Sequence, residues 1–305
     1  MDTAKFNNLA EFMDRFKDEE TCLRHFESIR FKNGDYCPHC AYGKIHRFKD
    51  GRRFRCARCK QDFTLKTGTI FGESKIPLRK WFIAIYLLTT SPKGISSIQL
   101  AKQVGVTQKT AWSMDHRIRK AMKGGKDLLS GTIEADETYV GGKETNKHKS
   151  KRVKGTQGRN TKTKTAIMGM VERGGKVVAD VVPNVRCKTL DPKIREYVAE
   201  GSRVYTDELM SYAKLGDLYP HEMVKHSQEE YVRGNVHTNS IESFWALFKR
   251  GYRGTYHQMS RKHLQRYIDE FAFRWNIRGN MDEVFAHLMQ NTGKTGKMSY
   301  ETLIA

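Results

Sequence analysis

The sequence predicts an α/β protein, with a mixed β-sheet and flanking helices preceded by a small metal-stapled ribbon and a helix-turn-helix. Three observations carry this. Two CxxC pairs stand fifteen residues apart near the N-terminus, a helix–glycine–helix pattern follows, and from residue 129 the hydrophobic period changes from that of helices to that of strands. At 305 residues the chain has room for two domains and a small module. Hydrophobic residues make up 38% and charged residues 29%, which excludes collagen, coiled-coil, mucin-like and disordered readings. No run approaches the roughly eighteen apolar residues of a membrane span, and the start, MDTAKFNNLAEFMDRF, carries acids where a secretory signal is basic and then apolar. A cytoplasmic protein with no membrane partner is expected.

Charge narrows the partner. Lys and Arg number 55 against 34 Asp and Glu, a formal net charge of +21. Cationic side chains that meet phosphates release condensed counterions, so an excess of this size points to nucleic acid.

Taken in order, residues 1–32 form an N-terminal helical segment, with Leu9, Phe12, Met13, Phe16, Cys22, Leu23, Phe26 and Ile29 at three- and four-residue steps over a helical stretch from 5 to 31. Residues 33–66 form the ribbon. Cys37 and Cys40, then Cys56 and Cys59, supply four thiolates at the spacing of a tetrahedral zinc site, and the metal furnishes the folding energy that so small a module lacks. Four thiolates leave no open position, so this zinc is structural, with His39 and His46 at the surface. Cys22 and Cys187 read as buried structural thiols. Arg52, Arg53, Arg55, Arg58 and Lys60, interleaved with Phe54 and Phe63, make the ribbon a candidate DNA contact or a solvated face.

Residues 77–125 form the helix-turn-helix domain. LRKWFIAIYLLTT at 78–90 is an apolar helix that Ser91-Pro92-Lys93-Gly94 ends. Ser96 or Ser97 then caps a short helix, Gly105 supplies the turn, and Thr107 caps a second helix carrying Gln108, Lys109, Thr110 and Arg117 toward a DNA groove. Gly124-Gly125 marks a linker.

Residues 129–290 form the α/β domain, and 291–305 a tail. TIEADETYVGG alternates as a strand, and AIMGMVERGGKVVADVVP reads as two strands joined at Arg173-Gly174-Gly175. A helix at 191–200, a strand in SRVYTDELM, a short strand in HEMVKHSQ and helices near 238–250 and 260–277 complete a sheet of mixed direction. The insertion at 143–164 carries nine Lys or Arg against one Glu and no apolar period, the composition of a loop that orders on a phosphate backbone.

Asp136 lies within the first strand, Asp207 closes the strand Arg203-Val204-Tyr205-Thr206, and Glu242 sits early in a helix. At 100° per residue, Ile241, Phe244, Trp245 and Phe248 form one stripe of that helix, while Asn239, Glu242, Ala246 and Lys249 share a neighbouring polar face. Hard divalent ions need oxygen ligands, and two of them about 4 Å apart serve in-line displacement at a phosphodiester. The three acids are therefore candidate ligands for Mg²⁺ or Mn²⁺. Glu134 and Glu137 are nearby alternates, of which strand alternation puts only Glu134 on the side of Asp136. Lys249 is a candidate phosphate contact, as are Lys143, Arg250 and Arg253. His237 and His257 are candidates for phosphate or backbone hydrogen bonds, and Tyr139, Tyr252 and Tyr256 for base stacking or a rim role.

Asp136, Asp207 and Glu242, with thirty-four residues between the last two and Lys249 seven beyond the Glu, resemble the DDE signature of transposases and integrases. DETYVGGK at 136–143, YTDE at 205–208, HTNSIESFWALFKRGYRGTYH at 237–257 and DEFAFRWN at 269–276, with CPHC and CARC upstream, resemble the zinc-ribbon branch of bacterial insertion-sequence transposases. The resemblance implies an RNase H-like catalytic domain, Mg²⁺ (or Mn²⁺) for catalysis, double-stranded DNA of transposon ends and target as substrate, a homodimer or higher oligomer, and a place at the bacterial nucleoid. It implies hydrolysis at the element's end followed by attack of the freed 3′ hydroxyl on target DNA. Some members of this branch use an Asn where others use the Glu, which leaves Asn239 beside Glu242 as third catalytic residue. The other class of reading is a non-catalytic zinc-ribbon regulator that only binds operators.

Overall fold

A computed structural model describes residues 6, 8–125, 127–142, 144–155, 161–278 and 283–304. Two compact units divide the chain, one formed by residues 1–123 with 277–305 and the other by residues 124–276.

In the first unit, the helical stretch expected over 5–31 consists of two helices. Asn8 caps α1 (Leu9–Arg15), Phe16 ends it, and the Asp18 carboxylate accepts the Thr21 N–H to start α2 (Glu19–Arg30). The periodicity runs on because both helices bury the same stripe, and only the capping aspartate marks the break. Three short strands, β1 (Ile45–Arg47), β2 (Arg53–Cys56) and β3 (Asp62–Thr64), pair antiparallel in that order. The apolar α3 (Leu78–Thr90) precedes α4 (Ser97–Val104) and α5 (Gln108–Met122). Ser96 caps α4, Thr107 caps α5, and Gly105 ends α4 at φ +68°, a conformation that costs a residue with a Cβ.

Helices α9 (Val284–Lys294) and α10 (Tyr300–Ile304) close this unit, which corrects the expected domain limit at 290. Val284, Phe285, Leu288 and Met289 of α9 are buried, with Phe285 against Phe12, Phe16 and Phe82. An apolar stripe declares that a helix will be buried, not against which partner.

The second unit is a five-stranded sheet built from β4 (Thr132–Val140), β5 (Thr165–Glu172), β6 (Val177–Val182), β7 (Arg203–Thr206) and β8 (His221–Met223), in spatial order β6-β5-β4-β7-β8. The first three pair antiparallel, and β7 and β8 join them parallel, the mixed RNase H-like arrangement expected. One face packs on α6 (Cys187–Tyr197) through Ile133, Ala135, Leu190 and Ile194. The opposite face packs on α7 (Asn239–Gly251) and α8 (Leu264–Asn276) through Ile167, Val171, Ile241, Phe244 and Phe271. A two-stranded hairpin, β9 (Val232–Arg233) and β10 (Val236–His237), leads into α7.

Glycine sets how close α7 comes. Gly169 of β5 stands opposite Asp136, and a Cβ there would meet the Trp245 ring at 2.5 Å and Ile241 at 2.9 Å. The bare backbone therefore lets α7 lie directly over the strand pair that carries the first acid.

Candidate active site

The four ribbon cysteines converge. Cys37 Sγ lies 3.7 Å from Cys59 Sγ, and Cys40 Sγ lies 3.6 Å from Cys56 Sγ. A tetrahedron with zinc–sulfur bonds of about 2.3 Å has edges near 3.8 Å, so the cage fits zinc and is too long for disulfides. The residue after each pair, Ala41 and Lys60, turns left-handed at φ +59° and +60°, which folds both knuckles alike. Main-chain N–H groups of His39, Arg58 and Cys59 point at the sulfurs of Cys37 and Cys56. His39 and His46 are exposed, as expected. Cys22 is fully buried, and burial pushes its thiol up to about 12; Cys187, half-buried, donates to Asp191 at 2.9 Å.

A second cluster forms where β4 passes the end of β7. Because Glu134 pairs with Tyr205 in parallel register, Asp207 emerges beside Asp136 on the face toward α7. Asp136, Glu137 and Asp207 bring carboxylate oxygens within 4.8 Å of one another. Alternation directs Glu137 to the α6 face. Yet β7 has ended at Thr206, so on that side of β4 no paired strand separates the two faces, and Glu137 joins the group. The sequence offered Glu137 only as an alternate on the opposite side of the strand from Asp136; its signal was adjacency to Asp136.

The surroundings fix these acids. Asp207 Oδ1 accepts the Leu209 N–H at 3.0 Å, and Thr206 Oγ1 donates to the Asp207 carbonyl at 2.8 Å. Tyr212, fully buried in the short turn beyond β7, also went unread in the sequence. Burial pushes its phenol well up, and the Glu137, Asp136 and Asp207 carboxylates push it further, so the ring stays protonated beside the cluster.

Helix α7 bears out the wheel: Ile241, Phe244, Trp245 and Phe248 are buried, while Asn239, Glu242, Ala246 and Lys249 are exposed. Glu242 is not among the three acids within 4.8 Å; its carboxylate accepts from Thr238 Oγ1 at 3.1 Å and lies 4.0 Å from His226 Nε2. Glu134, the other alternate, is committed to backbone contacts instead of the cluster.

Among the expected DNA contacts, Arg52, Arg53, Gln108, Lys109, Arg250 and Arg253 are exposed, and Lys143 lies outside the described residues. Arg53 pairs with Asp50, Gln108 donates to Ser97 Oγ, and the Lys109 ammonium sits 4.6 Å over the Tyr300 ring. Arg117 is corrected. Its guanidinium is buried and donates to the Ile70 and Gly72 carbonyls at 3.2 and 3.0 Å, so it is spent inside the unit. A helix face reads identically whether an arginine on it meets phosphate or carbonyl. Tyr252 and Tyr256 belong to a π turn, Tyr252–Tyr256, packed against the α8 cluster, with the Tyr256 hydroxyl donating to buried Glu270 at 2.7 Å. Tyr139 packs on the α6 side, His237 Nδ1 lies 3.3 Å from Glu134, and His257 is exposed at φ +56°. No helix among the described residues is long and apolar enough to cross a membrane.

Comparison with known proteins gives the family. The ISXO2-like transposase domain matches residues 128–276, and the transposase zinc-ribbon domain matches residues 17–62. An uncharacterized protein in transposable element ISH50 of Halobacterium salinarum is 31% identical over 277 residues, covering 86% of this chain and 92% of the relative. An uncharacterized transposase-like protein of Haemophilus influenzae is 35% identical over 102 residues, covering 33% of this chain and 81% of the relative. The Mos1 strand transfer complex aligns with 72% of this chain and 78% of its own at 13% identity, but its TM-score of 0.29 carries no argument. With the domain matches spanning ribbon and sheet, and a relative this similar over most of its length, the chain belongs to the ISXO2-like transposases that carry an N-terminal transposase zinc ribbon.

Proposed function

We propose that the chain cuts DNA at the ends of an insertion sequence and joins the freed 3′ hydroxyl to target DNA. The observation that carries the reading is the trio Asp136, Glu137 and Asp207, whose oxygens meet within 4.8 Å at the end of β7 in a transposase domain. Oxygen donors alone suit Mg²⁺ or Mn²⁺ and not zinc, whose thiolate cage lies elsewhere in the sequence. Asp136 and Asp207 would hold the ions, with Glu137 beside them and Glu242 supplying the further oxygen from α7; Asn239, at the start of α7, is the alternative donor. Bound divalent ions activate the attacking oxygen and stabilise the leaving one.

The chain's own residues supply the rest. Tyr212, kept protonated, offers a neutral donor against the carboxylates instead of a fourth charge. Lys249, exposed on the same α7 face as Glu242, is the phosphate contact of that helix, and Arg250 and Arg253 extend the positive edge. Gln108 and Lys109, in the exposed first turn of α5, are the base-reading candidates, since recognition helices use their N-terminal residues. Two ends must be processed together, so the working form is a dimer or higher oligomer on double-stranded DNA.

Strand transfer with Mg²⁺ on a labelled duplex made from the DNA flanking the coding sequence tests this. Asp136→Ala, Asp207→Ala and Glu242→Ala are each expected to abolish both cleavage and joining. Wild-type activity in all three would refute the site, and duplex binding with no metal-dependent cleavage by the wild type would leave only a DNA-binding regulator.

A further inference from the structure

We propose that Glu134 is a positioning residue that locks α7 against the strand carrying Asp136, and that divalent-ion affinity at the catalytic cluster depends on it. The inference rests on the reading of that cluster as the metal site. Glu134 and Asp136 lie two residues apart on the α7 face of β4. The Glu134 carboxylate is fully buried, and a buried ion is retained only where partners satisfy both oxygens. Oε2 accepts the main-chain N–H groups of Ser240 at 2.7 Å and Ile241 at 3.1 Å. Oε1 accepts Arg173 Nε at 2.7 Å and Ser240 Oγ at 3.0 Å, with His237 Nδ1 at 3.3 Å.

These partners lie on α7, on the hairpin before it and on the β5–β6 turn. Arg173, in the β5–β6 turn, donates onward to the Asn235 and His237 carbonyls at 2.7 and 3.0 Å. Its guanidinium also lies 4.9 Å over the Tyr205 ring, two residues before Asp207. The carboxylate thus ties β4 to the β5–β6 turn, the hairpin before α7, and α7 itself, while Arg173 reaches β7.

The start of α7 explains why the tie is needed. Thr238, at the N-cap, makes no side-chain cap bond; its hydroxyl donates to Glu242. The first-turn N–H groups that a local Ser, Thr or Asp ordinarily satisfies are instead held by a carboxylate on the sheet. A cap supplied by another element fixes both the height and the rotation of the helix over that element. Glu242 follows Ile241 directly, so its position relative to Asp136 is set through this contact, and metal sites tolerate only about 0.5 Å of error.

The substitution Glu134→Gln separates this role from bulk. Oε2 faces two main-chain N–H groups and Oε1 faces Arg173 Nε, so an amide nitrogen at either position points N–H at N–H. Glu134→Asp keeps the charge and both oxygens with a shorter reach. The probe is Mn²⁺ alone, titrated into full-length, zinc-loaded protein and followed by the electron paramagnetic resonance signal of the free ion, with melting temperature measured in parallel. Asp136→Asn is expected to lose the site and Glu242→Gln to weaken it. Glu134→Gln is expected to weaken Mn²⁺ binding by about 10- to 100-fold, the range of supporting-shell losses, and Glu134→Asp by less. Ile194→Ala, on the α6 face, is expected to lower the melting temperature and leave Mn²⁺ affinity unchanged. The proposal is overturned if Glu134→Gln binds Mn²⁺ as the wild type does while Asp136→Asn and Glu242→Gln do not, or if Ile194→Ala loses as much affinity for the same loss of stability. If wild type and Asp136→Asn bind Mn²⁺ equally, the metal-site reading itself fails and the proposal falls with it. Should Glu134→Gln not fold, Glu134→Asp carries the same comparison.

Discussion

The two clusters of ligand side chains in this chain are assembled in opposite ways. The ribbon draws four thiolates from 23 consecutive positions, Cys37 to Cys59, with each pair shaped by its own knuckle. The catalytic candidate joins adjacent residues 136 and 137 to residue 207, and its expected third acid comes from residue 242. Soft ligands close the first shell completely, so it stabilises; hard ligands leave room for water and phosphate in the second, so it can react. Without an ion, the thiol cage lacks its organiser, whereas the carboxylate cage is held by the sheet and merely suffers like-charge repulsion.

The largest expected effect breaks the comparison at the ribbon. Stripping zinc with a chelator, or Cys56→Ala, is expected to unfold residues 37–64, because structural zinc contributes about 10–16 kcal/mol to such modules. Circular dichroism and zinc content measure it, and an unchanged ribbon after complete removal would deny the metal a structural role. Next, Asp136→Asn is expected to cost at least about 100-fold in strand transfer while leaving the metal-free melting temperature equal or higher, since one of three crowded charges is gone. A fall in melting temperature like that of Cys56→Ala would make the acids structural too. Adding Mg²⁺ is expected to raise the wild-type melting temperature and not that of Asp136→Asn.

Arg117 and Lys109, on one helix, sharpen the contrast between structural and binding charges. Arg117→Ala is expected to cost about 1–3 kcal/mol of stability by leaving the Ile70 and Gly72 carbonyls without donors. Lys109→Ala is expected to weaken duplex binding and change stability by less than about 0.5 kcal/mol. Urea unfolding and a DNA-binding titration on both variants decide between the assignments.

The smallest effect is a pH slope at the edge of the acid cluster. Thr206 Oγ1 donates to the Asp207 carbonyl, which leaves its oxygen to accept from His221 Nε2, 2.9 Å away. Burial lowers the His221 pKa below its ordinary 6.5. As pH falls through about 6.5 the unfolded chain takes up a proton that the folded one refuses, so stability falls there and is full above it. His221→Gln, which keeps a donor and loses the titration, is expected to flatten melting temperature against pH between about 5 and 7.5.

Local chemistry made much of this molecule legible. The CxxC spacing gave the thiolate cage, Thr107 and Gly105 the cap and turn between α4 and α5, and alternation the strands of the sheet. The α7 wheel sorted its buried and exposed residues correctly, because a helix converts spacing into faces by fixed geometry. The register that sets Asp207 beside Asp136 was not legible in either residue, since strand pairing depends on which edges the core brings together.

By itself, then, the amino-acid order determined most of the helices and the strands of the main sheet, which four sulfurs share a cage, and that acids occupy a strand, a strand end and a helix in a strongly basic chain. Tertiary structure decided that β7 stops in time for Glu137 to join Asp136 and Asp207, that Glu134 serves the start of α7, that Arg117 is spent on carbonyls, and that α9 packs with the N-terminal helices. The reason is one of range. Caps, turns and knuckles are settled within a few residues, while the partner of a buried charge is whichever group a distant element delivers to it.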